Sequence, residues 1–370
     1  MALEAPLHRP GPDRPGSRPP DLPAEMMAMR FYQPGDVRYE RVPLPTPGPG
    51  ELLVKIARAL TCGTDVKCYR RGHPVLLKSF PSPFGHEFAG TVAALGEGVQ
   101  QFALGDRVVA ANSAPCESCF YCRKGKPNLC VDLDLLNGAY AQYLVIPARI
   151  VARNTLKIPA EASFEAAAFA EPLAVSLRGV ALSNVAPGDR VAVIGLGPIG
   201  QLLARAAKIS GAHVTALGRN ALKRSLAESF AQADAVVDIA QSSDAEEIVR
   251  RYTPHGRGFD IVIEAVGLPQ TWEKAFTLVR RGGLVNLFAG CPAGTILPVD
   301  ARRLHYDEIT VISPFHHTPA FFEKALSWIA DGTIDPTPLI TDRAPLREVT
   351  HALEAVEAGR AIKIAIAPNE

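Results

Sequence analysis

Long apolar runs are missing from this 370-residue sequence. No uninterrupted stretch approaches the roughly 20 apolar residues that a membrane-spanning helix needs. The first 30 residues also lack the apolar central region of a secretory signal, since seven prolines fall between Pro6 and Pro23. We therefore expect neither a membrane span nor secretion, and we predict that the protein works in the reducing cytoplasm.

An excess of charge of either sign is missing as well. The 39 basic and 38 acidic side chains leave a formal net charge of +1, and no basic stripe is visible. Proteins that bind nucleic acid or anionic membrane surfaces normally carry such an excess or stripe. We therefore expect no nucleic-acid partner and no membrane partner. The length, with 47% hydrophobic residues, is ample for two packed domains.

Cysteine is scarce, yet it is unevenly distributed. The chain has seven cysteines, and four of them lie in the stretch APCESCFYCRKGKPNLC, at Cys116, Cys119, Cys122 and Cys130. In a reducing compartment such a cluster favours a bound metal over disulfides. The pattern by itself leaves two kinds of zinc site open: a ribbon that binds nucleic acid, and a structural staple within a larger domain.

The character of the sequence changes along the chain. Residues 1–25 predict a disordered Pro-rich tail, because proline at that density forms neither helices nor strand ladders. From residue 26 to about 175, short alternating apolar runs broken by Pro and Gly indicate a β-rich, partly open barrel. Residues 176–312 alternate apolar strands with helical patterns, which is typical of a doubly wound parallel sheet in an α/β protein. Residues 313–370 predict two helices and a strand that complete the β-rich domain.

The clearest binding motif lies in VAVIGLGPIGQLLARAAK. Gly195, Gly197 and Gly200 form G-x-G-x-x-G, with Pro198 and Ile199 between the last two, directly after an apolar strand and at the start of a helix. The first Gly permits a tight turn, the second lets the backbone approach a pyrophosphate, and the third lets the helix pack against the strand. Amide groups at the helix start then face the anion. The motif predicts a dinucleotide site.

The end of the next strand bears on the choice of cofactor. An NAD site would place an acidic residue there, against the ribose 2′-hydroxyl, but this chain reads Leu217, Gly218, Arg219 and Asn220. Gly218 leaves room for a 2′-phosphate, and Arg219 can pair with it through its guanidinium fork. We therefore favour NADP(H) over NAD(H); the alternative is that Arg219 is solvated and NAD binds with one hydrogen bond fewer. Gly267, in EAVGLP, is expected at a strand end beside the nicotinamide.

Candidate metal ligands also occur outside the cysteine cluster. They are Cys62 in TCGTD, His86 and Glu87 in PFGHEFAG, and Glu171 in FAEPLAV. A catalytic zinc needs about three S, N or O ligands and one open position, and these residue types can supply that set. Spacing alone does not prove that they converge. Taken singly, Cys62 also fits a small buried hydrophobe, and Glu171 also fits a charge at a helix terminus.

With these motifs the chain resembles a known family, the zinc-dependent medium-chain alcohol dehydrogenases. The stretch GHEFAGTVAALGEGV matches that family's zinc signature residue for residue. CGTD upstream, the four-cysteine lobe, GDRV, AEPLAV and GLGPIG follow in the family's order and approximate spacing. The resemblance covers residues 28–370, and it is closest to the sorbitol/polyol and threonine dehydrogenase branch, which also has Glu after the zinc-binding His.

The resemblance implies a GroES-like catalytic domain and a Rossmann domain, with one catalytic and one structural zinc per chain. Carried over by position, Cys62 and His86 are direct ligands of the catalytic zinc, and Glu87 completes its shell. Glu171 is implied to be an alternating ligand or to act through a bound water. Thr64 is implied to be the hydroxyl that takes the proton of the alcohol.

The resemblance also bears on the cysteine cluster and on Lys67. The lobe over residues 112–131 matches the family's structural zinc lobe, where four thiolates make a closed tetrahedral site with no position for substrate. At Lys67, relatives often carry a His that passes the proton on towards solvent. A lysine, with an ordinary pKa of about 10.4, suits that relay poorly. Lys67 is therefore expected to face solvent, the cofactor or an anionic group of the substrate.

The expected function is a zinc- and NADP(H)-dependent oxidoreductase. It would move hydride between the nicotinamide and a secondary alcohol or ketone, namely a polyol, a sugar or an amino-polyol. We expect a small-molecule substrate and a homodimer or homotetramer. Two alternatives stay open: a zinc-independent quinone or enone reductase on the same fold, and a non-catalytic scaffold that retains the fold.

Overall fold

The computed structural model describes residues 21–73, 76–77, 79–241 and 244–370. Most of the predicted Pro-rich tail, residues 1–20, lies outside the described residues. The chain divides into two units: the first contains the described residues up to Glu171 with Thr318–Asp335 and Ile340–Glu370, and the second contains Pro172–His317 and Pro336–Leu339. The domain limits expected from the sequence stay a prediction.

The described residues contain eighteen strands, many of them short, and twelve α-helices. The strands are β1 Glu25–Gln33, β2 Asp36–Pro43, β3 Leu52–Leu60, β4 Ser82–Pro83, β5 Glu87–Leu95, β6 Arg107–Ala110, β7 Ser113–Ala114, β8 Asp134–Leu135, β9 Tyr143–Ile146, β10 Thr155–Lys157, β11 Arg190–Ile194, β12 His213–Gly218, β13 Ala235–Asp238, β14 Phe259–Glu264, β15 Val279–Leu287, β16 Thr310–Ile312, β17 Ile340–Pro345 and β18 Lys363–Ala367. The helices are α1 Gly63–Arg71, α2 Phe120–Arg123, α3 Ala148–Asn154, α4 Phe164–Ala167, α5 Ala170–Leu182, α6 Pro198–Ile209, α7 Ala221–Ser229, α8 Ala245–Tyr252, α9 Pro269–Leu278, α10 Ala301–Tyr306, α11 Pro319–Ala330 and α12 Val349–Glu357.

The first unit is built around a seven-stranded sheet. Its strand order is β10-β6-β5-β3-β18-β17, and β9 also pairs with β3. A three-stranded sheet, β2-β1-β4, and a two-stranded ribbon, β7-β8, complete the strands of this unit. Large buried side chains such as Phe31, Phe84, Phe88 and Tyr140 fill its core.

The pairing of β3 with β5 and β18 determines what surrounds the residues that follow it. β5 runs antiparallel to β3, with Glu87 opposite Leu60. On the other side β18 also runs antiparallel to β3, with Ala365 opposite Leu60. The end of β3, the start of β5 and the C-terminal strand therefore lie side by side, directly before Cys62.

The second unit is a six-stranded sheet with the order β13-β12-β11-β14-β15-β16, and every pair in it is parallel. Numbered along the unit, this order is 3-2-1-4-5-6, the order of dinucleotide-binding doubly wound sheets. The strands are apolar runs, and residues such as Ile194, Leu217 and Val262 are fully buried, as a covered parallel sheet requires. The predicted combination of a β-rich unit and a doubly wound α/β unit is confirmed.

Among the helices of the described ranges, none has both the length and the apolar character needed to cross a membrane.

Candidate metal and dinucleotide sites

Cys62 lies at the N-terminus of helix α1. Its Sγ accepts a hydrogen bond from the backbone N–H of Thr64 at 3.4 Å, and its own N–H donates to Oδ2 of Asp65 at 3.1 Å. This reciprocal capping satisfies two of the free amide groups at the helix start. The sequence CGTD thus forms a local turn that presents a sulfur ligand.

His86 precedes strand β5 and is 5% exposed. Its Nδ1 lies 2.9 Å from Oδ1 of Asp65, so Nδ1 carries the donated proton and Nε2 is the nitrogen that remains to bind a metal. Burial lowers the pKa of His86, but the charge of Asp65 and the neighbouring Cys62 outweigh burial and raise it well above its usual value. Metal binding at Nε2 would displace that additional proton.

Tyr140 supports Asp65 from the opposite side. Its hydroxyl lies 2.5 Å from Oδ2 of Asp65 and 3.1 Å from the carbonyl oxygen of Leu60. Burial, followed by the negative charge of Asp65, raises the pKa of Tyr140 well above its usual value, so the phenol stays a donor. Tyr140, Asp65 and His86 therefore form a buried chain of hydrogen bonds that fixes the orientation of the imidazole.

Glu87 is the first residue of β5 and is only 1% exposed. Its Oε2 forms an ion pair with Nζ of Lys363, the first residue of β18. Its Oε1 is buried and has no hydrogen-bond partner among the described residues. For Lys363, burial lowers the pKa, but the charge of Glu87 outweighs this and raises it. An unpartnered buried carboxylate oxygen is costly unless a donor or a cation faces it.

The ligand atoms of Cys62, His86 and Glu87 all lie within 4.8 Å of one another. A sulfur, an imidazole nitrogen and a carboxylate oxygen are the donor types of a catalytic zinc site. The unpartnered Oε1 of Glu87 gives a second reason to expect a cation at this place. The residues of this site therefore fit a zinc ion.

Three other predicted residues lie around this set. Glu171, near the start of α5, is 7% exposed and is not a member of the three-residue set. Burial raises the pKa of Glu171 to about 7, the charge of Glu87 adds to this rise, and His86 and Lys363 oppose it. Thr64 is half-buried, in the first turn of α1, and Lys67 is exposed on the same helix.

The four clustered cysteines come together as a second set, with their sulfur atoms within 4.8 Å of one another. Sγ of Cys119 and Cys130 are 3.9 Å apart, and no disulfide links them. The backbone N–H of Cys116 donates to Sγ of Cys130 at 3.3 Å. Hydrogen bonds from Ser118 lower the pKa of Cys116 to about 6, whereas burial and the neighbouring thiols raise that of Cys122 to about 12. Four sulfur donors fit a closed structural zinc site.

The glycine motif forms the turn between β11 and α6. Gly195 has a φ of +96°, and its N–H donates to the carbonyl of Leu217 at 2.9 Å. A Cβ on Gly200 would lie 1.9 Å from the carbonyl oxygen of Gly195, so this position tolerates only glycine. Gly197 caps α6, and Pro198 is the first residue of that helix. Free amide groups at the start of α6 are therefore available to a pyrophosphate.

Arg219 and Asn220 connect the end of strand β12 to the start of helix α7. Asn220 caps α7, its Oδ1 accepting from the N–H of Lys223 at 3.1 Å. Arg219 is exposed and forms no ion pair within the described part of the chain. Its carbonyl accepts from Arg224 at 2.5 Å, while the guanidinium of Arg224 pairs with Asp238 at 2.9 Å. Arg219 therefore carries an uncompensated positive charge beside Gly218.

Gly267 lies in the loop after β14 with a φ of +81°, and a Cβ there would lie 2.5 Å from the carbonyl oxygen of Gly290. Its N–H donates to Oε1 and Oε2 of Glu264, at 3.0 and 3.2 Å. Glu264 is fully buried, and burial raises its pKa. The two loops that follow β14 and β15 thus approach each other closely, and a buried carboxylate holds the first of them.

Four residues of these sites were not identified from the sequence: Asp65, Tyr140, Glu264 and Lys363. Asp65 could have been found as the acidic residue three positions after a capping residue. Lys363 could have been found as a lone cation in the apolar strand AIKIAIA, because a buried lysine needs an acidic partner. Nothing in the sequence points to Tyr140 as a partner of Asp65.

Comparisons with known proteins agree with these sites. Residues 48–160 match the family model of the alcohol dehydrogenase GroES-like domain, and residues 198–331 match that of the zinc-binding dehydrogenases. Sorbitol dehydrogenase of Bacillus subtilis (strain 168) is 30% identical over 358 residues, which cover 94% of this chain and 99% of that protein. L-threonine 3-dehydrogenase of Stenotrophomonas maltophilia (strain K279a) is 30% identical over 336 residues, covering 89% of this chain and 96% of that protein.

A solved structure has the same architecture. A protein of Sinorhizobium meliloti 1021, described as a zinc-binding dehydrogenase bound to NADP, matches with a TM-score of 0.86 and 31% sequence identity, covering 94% of this chain and 100% of that chain. The GroES-like and Rossmann domains expected from the resemblance are confirmed, and the two alternatives of a zinc-independent reductase and a non-catalytic scaffold are set aside. The chain belongs to the zinc-containing medium-chain alcohol dehydrogenase family, as a zinc-dependent NAD(P) dehydrogenase of its polyol and threonine branch.

Proposed function

We propose that this enzyme interconverts a secondary alcohol and its ketone with NADP(H), and that the alcohol is a polyol, a sugar or an amino-polyol. The observation that carries the proposal is the convergence of Cys62, His86 and Glu87, whose ligand atoms lie within 4.8 Å of one another. Three S, N and O donors at one place, from segments distant in sequence, are what a catalytic zinc with an open position requires.

In this proposal Asp65 supports Cys62 and His86, and Lys363 supports Glu87. Cys62, His86 and Glu87 hold the zinc, and Glu171 acts as an alternating ligand or through a bound water. Asp65 keeps the imidazole of His86 in the tautomer that leaves Nε2 free. The buried surroundings exclude water from these charges and so strengthen their interactions.

The proton of the substrate needs a separate carrier. When bound, zinc supplies Lewis-acid polarisation of the alcohol oxygen, and the nicotinamide supplies the hydride acceptor. The hydroxyl of Thr64, two residues after Cys62, would act as a relay: its oxygen accepts the hydroxyl proton of the alcohol while its own O–H proton passes to a solvent water. In the reverse reaction the protons would move along the same path in the opposite direction. Lys67 is exposed on α1, which supports a solvent-facing role for it.

The cysteine cluster serves stability in this proposal. Cys116, Cys119, Cys122 and Cys130 hold a second zinc with all four coordination positions filled by sulfur. No position remains for substrate, so this metal stiffens the lobe over residues 112–131. Two zinc ions per chain follow from the two sets.

The preference for NADP(H) rests on the end of β12. Gly195, Gly197 and Gly200 bring the backbone to the pyrophosphate, with Pro198 and Ile199 in the first turn of α6. Arg219, exposed and without an ion pair in the described ranges, is available to a 2′-phosphate next to Gly218 and Asn220. Gly267 lies beside the nicotinamide in this proposal. The NADP complex of the Sinorhizobium meliloti relative supports the same preference.

The substrate class is supported by the relatives. Proteins with about 30% identity over nearly the whole chain are named sorbitol dehydrogenase and L-threonine 3-dehydrogenase, and both of those substrates carry a secondary hydroxyl. We further propose a homodimer or homotetramer that works in the cytoplasm.

Metal analysis and a substrate panel test the proposal. We expect two zinc ions per chain, and oxidation of polyols or amino alcohols that reduces NADP⁺. Cys62→Ser and His86→Ala should lower turnover by about a thousandfold or more, because the loss of Lewis-acid stabilisation is several kcal/mol. Both variants should still bind NADP⁺. His351→Ala, an exposed histidine on α12, is the matched control and should keep full activity.

Two results would contradict the proposal. One is full turnover in either ligand variant, which would show that the reaction does not need these metal ligands. The other is a clear preference for NAD⁺ in the ratio of catalytic efficiencies, which would leave Arg219 without its proposed role.

A further inference from the structure

We propose that Lys363 is a positioning residue that divides the carboxylate of Glu87: its ammonium holds Oε2, so that Oε1 alone faces the metal. The inference rests on the proposed ligand role of Glu87 and goes beyond it by assigning a function to the C-terminal strand. Lys363 touches neither substrate nor cofactor in this proposal and acts only through Glu87.

The contacts of Lys363 hold its ammonium in one place. Nζ donates to the carbonyl oxygen of Thr61 at 2.8 Å and to Oε2 of Glu87. The ring centroid of Phe169 lies 5.5 Å from the same nitrogen, within the range of a cation–π contact. The Lys363 residue is 1% exposed. A flexible four-carbon side chain is thus fixed by a carbonyl, a carboxylate and an aromatic face.

The backbone around Lys363 is tied to the segment that carries Cys62. The N–H of Thr61 donates to the carbonyl of Ile364 at 3.1 Å, and the N–H of Ile364 donates to the hydroxyl oxygen of Thr61 at 2.8 Å. With the bond from Lys363 to the carbonyl of Thr61, three hydrogen bonds join these neighbouring segments. These three bonds fix the position of the ammonium relative to Cys62.

A purely structural ion pair does not explain the geometry of Glu87. A buried carboxylate that only neutralises a lysine would be expected to have both oxygens satisfied, because an orphaned charged oxygen is costly. Here Oε2 is bonded to Lys363, while Oε1 has no partner in the described residues. Cys62 and His86, whose ligand atoms lie within 4.8 Å of that of Glu87, could hold a cation that serves as this partner. A cation at that set satisfies Oε1 and makes the arrangement complete.

The division has a consequence for the metal. A carboxylate shared between an ammonium and a metal donates less charge to the metal, and it cannot bind through both oxygens. Glu87 is thereby held as a weak ligand with one oxygen, which keeps a coordination position available to substrate. Removal of the ammonium would release Oε2, and Glu87 would then bind the metal more tightly.

Cobalt substitution tests this without relying on activity. In the protein whose catalytic-site zinc is exchanged for Co²⁺, Lys363→Met should raise the affinity for Co²⁺ about tenfold, the scale on which partners of metal ligands act, as measured by competition with a chelator. The visible absorption of Co²⁺ should also weaken, as it does when the coordination number rises. Lys208→Met, which removes the ion pair with Asp234 at 2.5 Å, is the control and should leave both readouts unchanged.

A second variant covers the case in which Lys363→Met does not fold. Lys363→Arg keeps the charge, but a guanidinium can take both carboxylate oxygens through its fork. It should therefore lower the Co²⁺ affinity about tenfold. A folded Lys363 variant whose Co²⁺ affinity and spectrum equal those of the wild type would overturn the inference and leave the proposed function intact. Absence of a second metal beyond the four-cysteine site in the wild type would instead refute the proposed function.

Discussion

Arg219→Ala should weaken the binding of NADP(H) and leave that of NAD(H) nearly unchanged. A hydrogen bond from a guanidinium to a charged group contributes about 1.5–3 kcal/mol. Arg219 is exposed, so solvent screening reduces that contribution, and we expect the lower end, about 1–2 kcal/mol. This corresponds to a rise of about 5- to 30-fold in the KM for NADP⁺. The difference arises because only NADP(H) carries the 2′-phosphate.

Steady-state kinetics with both cofactors at a fixed alcohol concentration provide the assay. Arg257→Ala, another exposed arginine of the second unit, is the matched control and should change neither KM. A higher salt concentration should raise the KM for NADP⁺ in the wild type more than in Arg219→Ala, because exposed charge pairs are screened by salt. An equal loss for NAD⁺ and NADP⁺ would refute the reasoning, since it would mean that Arg219 supports the fold or the shared part of both cofactors.

Two other predictions concern the supports of the metal sites. Cys116→Ser should lower the zinc content from two to about one per chain. It should lower the thermal midpoint by about 2–8 °C, a cost of roughly 1–2 kcal/mol or more, and change kcat per folded chain by no more than about twofold. Complete loss of turnover with the fold and the catalytic zinc intact would contradict the division into two sites. Tyr140→Phe should destabilise the protein by about 1–3 kcal/mol in urea unfolding, since it removes a donor from the buried Asp65. Tyr143→Phe, a buried tyrosine for which only burial shifts the pKa, should cost clearly less, and equal effects of the two changes would exclude a special role for the bond to Asp65.

The hydrogen bonds around the catalytic site run outward from the ligands to the core of the first unit. Asp65 joins the cap of α1 to His86, and Tyr140 joins Asp65 to the end of β3. Lys363 joins Glu87 to the carbonyl that precedes Cys62. Cys62 and His86 therefore share Asp65 as a buried partner, and Glu87 has Lys363. Such supporting bonds keep the geometry of a site before the metal binds.

Local motifs could be predicted from the sequence because their parts are close in the chain. Gly195, Gly197 and Gly200 lie within one turn, and the backbone has the positive φ and the close approach that their spacing predicts. The cysteines of the 112–131 lobe likewise fold back on one another over a short loop. The apolar patterns of the strands indicated the two fold classes. A strand buried on one face alternates apolar and polar residues, as in the β-rich unit, whereas a strand buried on both faces is a continuous apolar run, as in the parallel sheet.

Only the tertiary structure could decide which side chains, distant in sequence, form an ion pair. Residue 363 lies 276 positions after Glu87, and their contact depends on β18 and β5 both pairing with the end of β3. A one-residue slip of either pairing would point the side chain to the opposite face of the sheet. The sequence alone thus determined the types of ligand and the turns that present them. The sheet register determined that Oε2 of Glu87 meets the buried ammonium of Lys363 and that the same carboxylate lies near Cys62 and His86. Long-range pairing of this kind is a property of the folded sheet and of no single segment.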